Sequence, residues 1–328
     1  MNMFAEQSAF EALNRALFNY ADRQVRSIAP SDRFAHYTSR DVVEKIICGD
    51  EQGKRYLWLR NSRLMNDFSE VEWGQDCLQS TLQNWRLHER FKRVLNVIHK
   101  DLYDRIQASL KSEANHLGDN AFLLSLTLHN QAEALTGKLS MWRAYGLSRG
   151  GDNACLVFNT APFLNRQTAF ETVLSPVMYG GKTEFADEFE GVLYRLELSA
   201  AELKNLSSEV IFLNLKRALD FAVLSTKHPG FHEEKEWRVI HQPSAFRPAP
   251  PAILDPSDST KKIHLIPLEN RFEAGIWGAT PDESLERIII GPTGDVPESR
   301  EHYIKLLTTA NITYASDRVI SCKIPLRR

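Results

Sequence analysis

The chain has 328 residues, enough for one large domain or two modest ones, and 43% of them are hydrophobic against 25% charged, the balance of a chain with a real core. Forty basic residues against 42 acidic ones leave a net charge of −2, so no global field favours nucleic acid or an anionic membrane. The N-terminus lacks the basic start and continuous apolar core of a secretory signal, no window approaches the ~18 apolar residues of a membrane span, and four scattered cysteines (Cys48, Cys77, Cys155, Cys322) suggest reduced thiols and a cytoplasmic location.

In chain order, Phe10, Leu13, Leu17 and Phe18 repeat at helical spacing, which predicts an N-terminal helix within 4–28. Phe34–Tyr37 reads as a strand. Thr38 or Ser39 then caps a helix through Val42, Val43, Ile46 and Ile47, closed by Gly49. Tyr56–Leu59 is a second strand, and 61–70 is a polar loop. Residues 76–111 predict a long helical stretch with Phe91, Leu95, Ile98, Leu102 and Ile106 on one face. Ala121–Leu126 and Ala154–Phe158 read as buried strands, and Val192–Leu198 alternates as a strand does. A helix over Ile211–Leu224 precedes Pro229-Gly230, and Glu236–Ile240 is a strand. The five prolines in 243–262 predict a loop. Short strands at Ile263–Pro267 and Arg287–Ile290, a helix over Pro297–Thr309 and a strand near Val319–Ile324 complete the reading. The pattern predicts one α+β domain, with a mixed or mostly antiparallel sheet and helical excursions at 76–117 and 199–225.

Four polar clusters could carry chemistry. The densest is Lys227-His-Pro-Gly-Phe-His-Glu-Glu-Lys-Glu-Trp-Arg238. If its strand starts at Glu234, then Glu234, Glu236 and Arg238 share one face and Lys235, Trp237 and Val239 the other. Two carboxylates and a guanidinium in one space suit acid–base work or stabilisation of a developing cation; an edge strand with a surface ion pair has the same pattern. The second, His36-Tyr37-Thr38-Ser39, lies at a strand-to-helix junction, where free N–H groups can hold an anion and where simple capping is equally served. The third, Asn61–Glu70, packs small polar residues including Asn66 and Asp67 around Met65 and Phe68; these are also ordinary turn residues. The fourth joins Ser125-Leu-Thr127 to Ser140-Met-Trp-Arg-Ala-Tyr-Gly146, where Trp142 and Tyr145 share a helical face as pocket wall or core plug.

Other signals exclude more than they suggest. His228 and His232 are separated by Pro229-Gly230, which breaks the helix that would pair them. There is no His-Glu-x-x-His, cysteine ligand set, Walker loop, dinucleotide fingerprint or nucleophile elbow. The basic run Arg86, Arg90, Lys92, Arg93 reads as a helix face rather than a nucleic-acid patch.

Taken together the clusters resemble a bacterial family, domain of unknown function 2971. Its pattern runs His/Lys-Tyr-Thr-Ser, Asn-Asp-Phe/Pro-x-Glu, a strand ending in Ser, Met-Trp-x-x-Tyr-Gly, Lys-His-x-x-Phe-x-x-Glu-x-Glu-Trp-Arg and Ile-Ile-x-Gly-Pro. Here these fall at His36–Ser39, Asn66–Glu70, Ser125, Met141–Gly146, Lys227–Arg238 and Ile289–Pro292, across residues 34–292. Phe68-Ser69 departs from the Pro-Phe of many members.

A second resemblance, at the level of short motifs, is to the ADP-ribosyltransferase fold. Residues 36–49 look like its opening strand and helix. Ser125-Leu-Thr127 and Glu234-Lys-Glu236 look like the Ser-x-Ser/Thr and Glu-x-Glu elements of one branch, whose arginine could be Arg33, Arg60 or Arg63. This resemblance implies a split sheet and NAD as substrate, held by His36, Tyr37, Thr38, Asn66, Asp67, Ser125, Trp142, Tyr145 and Arg238. Glu236 would be the catalytic carboxylate and Glu234 would orient an acceptor, protein or nucleic acid, in a bacterial defence or toxin setting. Two alternatives keep the same residues: a non-catalytic nucleotide-sensing module, and a metal-dependent nuclease or phosphoesterase built on His36, Asp67, Glu70, Glu234 and Glu236.

Overall fold

The computed structural model describes residues 3–64, 69–113, 117–145, 153–164, 172–243, 250–255, 258–292 and 296–325. The principal elements run as follows: α1 Met3–Leu17, α2 Asn19–Ser27, β1 Arg33–Ser39, α3 Arg40–Cys48, β2 Tyr56–Asn61, α4 Ser69–Gln83, α5 Trp85–Ile98, α6 Leu102–Glu113, β3 Phe122–His129, α7 Leu139–Tyr145, β4 Asn153–Asn159, β5 Thr172–Pro176, α8 Lys182–Leu203, α9 Ser208–Leu224, β6 Glu236–His241, β7 Ala252–Asp255, β8 Asp258–Pro267, β9 Leu285–Ile290, α10 Val296–Thr309 and β10 Val319–Ser321. The fold is α+β, with a mixed, mostly antiparallel sheet. Among the described residues no helix is long and apolar enough to cross a membrane.

The chain forms two compact units, each assembled from three separate segments. A helical unit comprises Met1–Ile28, Ser62–Asn120 and Ser175–His232; a sheet unit comprises Ala29–Asn61, Ala121–Leu174 and Glu233–Arg328. The helical excursions at 76–117 and 199–225 both fall in the first.

In the helical unit, α1, α4 and α5 pack on α8, and α4 packs on α9. Gly74 permits the last approach: a Cβ there would collide with the Val223 carbonyl. The predicted stretch 76–111 is three helices. Asn84 ends the first and caps the second, its side chain accepting from the N–H groups of Arg86 and Leu87 at 3.1 and 3.3 Å. Phe91, Leu95, Ile98, Leu102 and Ile106 are all buried, so the apolar spacing identified the face but not its breaks. The basic run is turned onto α8. Arg90 pairs with Glu190 at 3.0 Å and Glu197 at 2.6 Å, Arg93 with Glu197 at 3.3 Å, and Arg86 with Glu190.

One expectation is reversed. Val192–Leu198 lies inside the 22-residue α8, not on a strand. Its buried residues Phe185, Phe189, Leu193 and Leu196 follow the helical repeat, and Tyr194 and Leu198 are 56% and 69% exposed. A run of seven residues was too short to separate the two periods.

The sheet unit carries ten strands among the described residues, in the order β10-β9-β4-β1-β3-β2-β8-β7, with β6 paired to both β3 and β5. One face buries Ala35, Tyr37, Cys155, Val157 and Ile289 under Met141 and Trp142 of α7. On the other, Phe34 meets Phe163 and Trp237 edge-on, with ring centres 5.5 and 5.6 Å apart. The proline-rich stretch predicted as loop contains β7 and the first half of β8, residues 258–262, and these two strands pair antiparallel. Residues 244–249 and 256–257 lie outside the description.

Candidate functional site

The site follows from how three strands share β3. Along one edge, β6 pairs with β3 continuously, from Phe122↔His241 to Thr127↔Glu236. Along the other edge two strands take a half each. β1 pairs at Arg33↔His129, Phe34↔Leu128 and Ala35↔Thr127, and β2 at Arg60↔Leu123 and Asn61↔Phe122. β1 then stays with β4 as far as Ser39↔Asn153, and β2 stays with β8. The two diverge and leave Leu124, Ser125 and Leu126 in a fork: the sheet is split there.

His36 fills part of the gap. Its Nδ1 lies 3.1 Å from the Ser125 carbonyl oxygen. A carbonyl only accepts, so Nδ1 carries the proton and Nε2 is left as an acceptor. Burial lowers the His36 pKa, the Arg60 charge lowers it further, and the bond to Ser125 opposes both. The ring is therefore neutral at pH 7.

Beneath it, Ser125 Oγ donates to Glu236 Oε1 at 2.6 Å. Arg238 donates to the same carboxylate through Nε at 2.8 Å to Oε1 and Nη2 at 3.1 Å to Oε2. Positions 236 and 238 share a face of β6, and the register puts Arg238 opposite Ser125 and Glu236 opposite Thr127. Glu236 is 6% exposed and Arg238 1%. Three charge-assisted hydrogen bonds on one buried carboxylate are the arrangement an ionised group needs to remain in such a place. The strand is internal, which excludes the reading of an edge strand with a surface ion pair.

Glu234 is not part of this face. Pro229–Glu234 forms a 3₁₀ turn, Lys235 sits at φ +45°, and the strand starts at Glu236. The left-handed residue turns the chain before the period-2 alternation begins. Of the candidate arginines, Arg33 binds Glu286 and the carbonyls of Pro30 and Asp32. Arg63, in the helical unit, pairs with Asp119 at 2.6 Å. Arg60, on β2, borders the fork: it lies 3.7 Å from Asp255, and its charge acts on His36.

Tyr37 and Trp142, expected to face a ligand, lie in the core. Trp142 is fully buried and donates to the Thr136 carbonyl at 3.1 Å, with its ring edge-on to Tyr37 at 4.9 Å. The Tyr37 hydroxyl accepts the Lys138 N–H at 2.7 Å and lies 2.9 Å from His129 Nε2. Tyr145 is half-buried against the same cluster. Thr38 faces Ala154 in the β1–β4 ladder. Ser39 holds the N-cap position of α3 but makes no side-chain cap bond, whereas Gly49 closes the helix at φ +78° as expected. Asn66 and Asp67 lie outside the described residues. Among the described residues no three His, Cys, Asp or Glu side chains are grouped to hold a metal.

Sequence reasoning missed the buried polar group behind Tyr37. Burial, then the charges of Lys138 and Lys235, push His129 down to about 3, and burial pushes Lys138 down to about 8. The signal was the alternation Ser125, Thr127, His129 along one face of β3.

With this geometry in place, comparison with known proteins adds one finding: residues 141–239 match the family described as Protein of unknown function (DUF2971). Over this segment the chain is similar to that family. No curated protein and no solved structure matches the chain. The DUF2971 segment supplies Glu236 and Arg238, and the strands bearing His36, Arg60 and Ser125 precede it.

Proposed function

We propose that the fork in the sheet unit binds a nucleotide of the NAD type and that the chain is an ADP-ribosyltransferase-like enzyme. The observation that carries this reading is the 2.6 Å bond from Ser125 Oγ to Glu236 Oε1 at the split in the sheet. It joins the Ser-x-Thr strand to the second glutamate of Glu-x-Glu and fixes a buried anion against the strand that borders the gap between β1 and β2. As the bond between the ribose C1′ and the nicotinamide nitrogen breaks, the electron pair leaves with nicotinamide and positive charge grows on the sugar. A preorganised carboxylate stabilises that charge, and removing one such group typically costs ~10²–10³ in rate. Arg238 and Ser125 hold Glu236 in position, and Arg60 with neutral His36 lines the rim where phosphate or ribose would rest. The acceptor takes C1′ and releases its proton.

The test is nicotinamide release from NAD and labelling of added acceptors. Glu236→Gln is expected to lose at least a hundredfold in rate. Ser125→Ala keeps the ion pair and is expected to lose about tenfold, the equivalent of ~1.4 kcal/mol and near the low end for a hydrogen bond to a charged group. A wild-type rate in Glu236→Gln sinks the assignment.

A second reading is favoured by the burial of Glu236 and the engagement of both its oxygens: the fork binds a nucleotide without turning it over. Calorimetry showing NAD bound, with no nicotinamide released over long incubation, decides for it.

A further inference from the structure

The helical unit contains a cavity of about 120 Å³ that takes no part in the fork. Its floor is apolar: Phe91, Leu193, Leu196 and Leu215 are all buried. Native cores keep few voids larger than a water molecule, because lining atoms lose dispersion contacts on the empty side. Here small side chains keep the space open. Ala218 and Ala222, one turn apart on α9, and Ala21 on α2 all line it where a leucine would fill it.

We propose that this cavity is a binding site for a small neutral, largely apolar molecule of single-ring size or an equivalent short hydrocarbon, carrying one hydrogen-bonding group. The size follows from the volume: an apolar cavity of ~150 Å³ admits benzene and stays dry without it. The neutrality follows from the charges. Glu188 is the charged residue on the lining, and its two oxygens accept from Arg23 at 2.8 Å and from Arg195 at 3.0 Å. A ligand charge placed against this apolar lining would lose its hydration without gaining a partner. The single polar group follows from the hydroxyls. Tyr20 lines the cavity, and its hydroxyl donates to the Val177 carbonyl at 3.4 Å, at the long limit of a hydrogen bond, so it can turn to a ligand at little cost. Ser175 and Ser225 bond each other at 2.9 Å and offer a second anchor.

The test titrates the full chain with phenol, indole and 1-hexanol by calorimetry and thermal shift, against benzoate and hexanoate as charged counterparts. At least one neutral probe is expected to bind saturably, with its charged counterpart at least tenfold weaker. Ala218→Leu and Ala222→Leu fill the space and are expected to weaken binding tenfold or more. Leu193→Ala enlarges the space and is expected to shift preference from phenol towards indole, a readout that survives if the filled variants fail to fold. Absence of saturable binding by every neutral probe, equal binding of the charged counterparts, or affinities unmoved by all three substitutions each overturns the proposal.

Discussion

The buried pair Glu236–Arg238 makes the sharpest claim on stability. Glu236→Gln leaves a guanidinium that is 1% exposed facing a neutral amide, and Arg238→Met leaves a carboxylate that is 6% exposed with the Ser125 hydroxyl as its remaining donor of the three. Removing one partner of a buried ion pair costs about 3–5 kcal/mol. For a unit of this size each kcal/mol lowers the melting temperature by roughly 2–4 °C, so each single variant should melt roughly 6–20 °C lower. The double variant Glu236→Gln/Arg238→Met buries no uncompensated charge. Its loss should fall short of the two single losses added, by an interaction energy of about 2–3 kcal/mol, at the upper end for residues in direct contact. Urea and thermal melts followed by circular dichroism measure all four proteins. Single losses below about 1 kcal/mol, or additivity within about 0.5 kcal/mol, would refute the ion-pair argument.

Two further outcomes follow. The folded His129 value of about 3 lies below the unfolded ~6.5, so the unfolded chain binds the proton first and stability rises with pH between them. The contribution is complete above pH ~6.5 and is lost as pH falls towards 3; His129→Phe should therefore show a shallower decline in melting temperature from pH 6.5 to 4, and parallel curves would contradict this. Gly137 sits at φ +71° with Trp142 Nε1 against the place a Cβ would occupy. Gly137→Ala should cost about 2–4 kcal/mol, combining overpacking with left-handed strain, and a loss below ~0.5 kcal/mol in the urea midpoint would show that Trp142 yields freely.

Much of this architecture was legible in the chain. Phe34–Tyr37, Gly49, Ala154–Phe158 and Glu236–Ile240 declared their elements because local rules and burial agreed there. The alternation along Glu236–Ile240 also put Glu236 and Arg238 on one face, as the strand has them. What was not legible depends on partners far away in sequence. That Tyr37 would be sealed under Trp142 required α7 to pack on β1 and β4, and no local pattern encodes that. Glu234 was lost to a single left-handed residue, Lys235, of a type that seldom adopts such a conformation. The fork itself was beyond local reading, because it depends on two strands competing for one edge of β3.

That shared strand also sets a schedule for synthesis. Ser125 and Glu236 are 111 positions apart. At roughly 5–20 residues per second, β3 leaves the ribosome about 5–20 seconds before the strand for its second edge exists. During that interval one whole edge of an apolar strand has no mate, and such an edge is a template for pairing with other chains. A product that ends before Arg238 keeps that vulnerability permanently. The carboxylate bound to Ser125 thus belongs to the last strand to join β3.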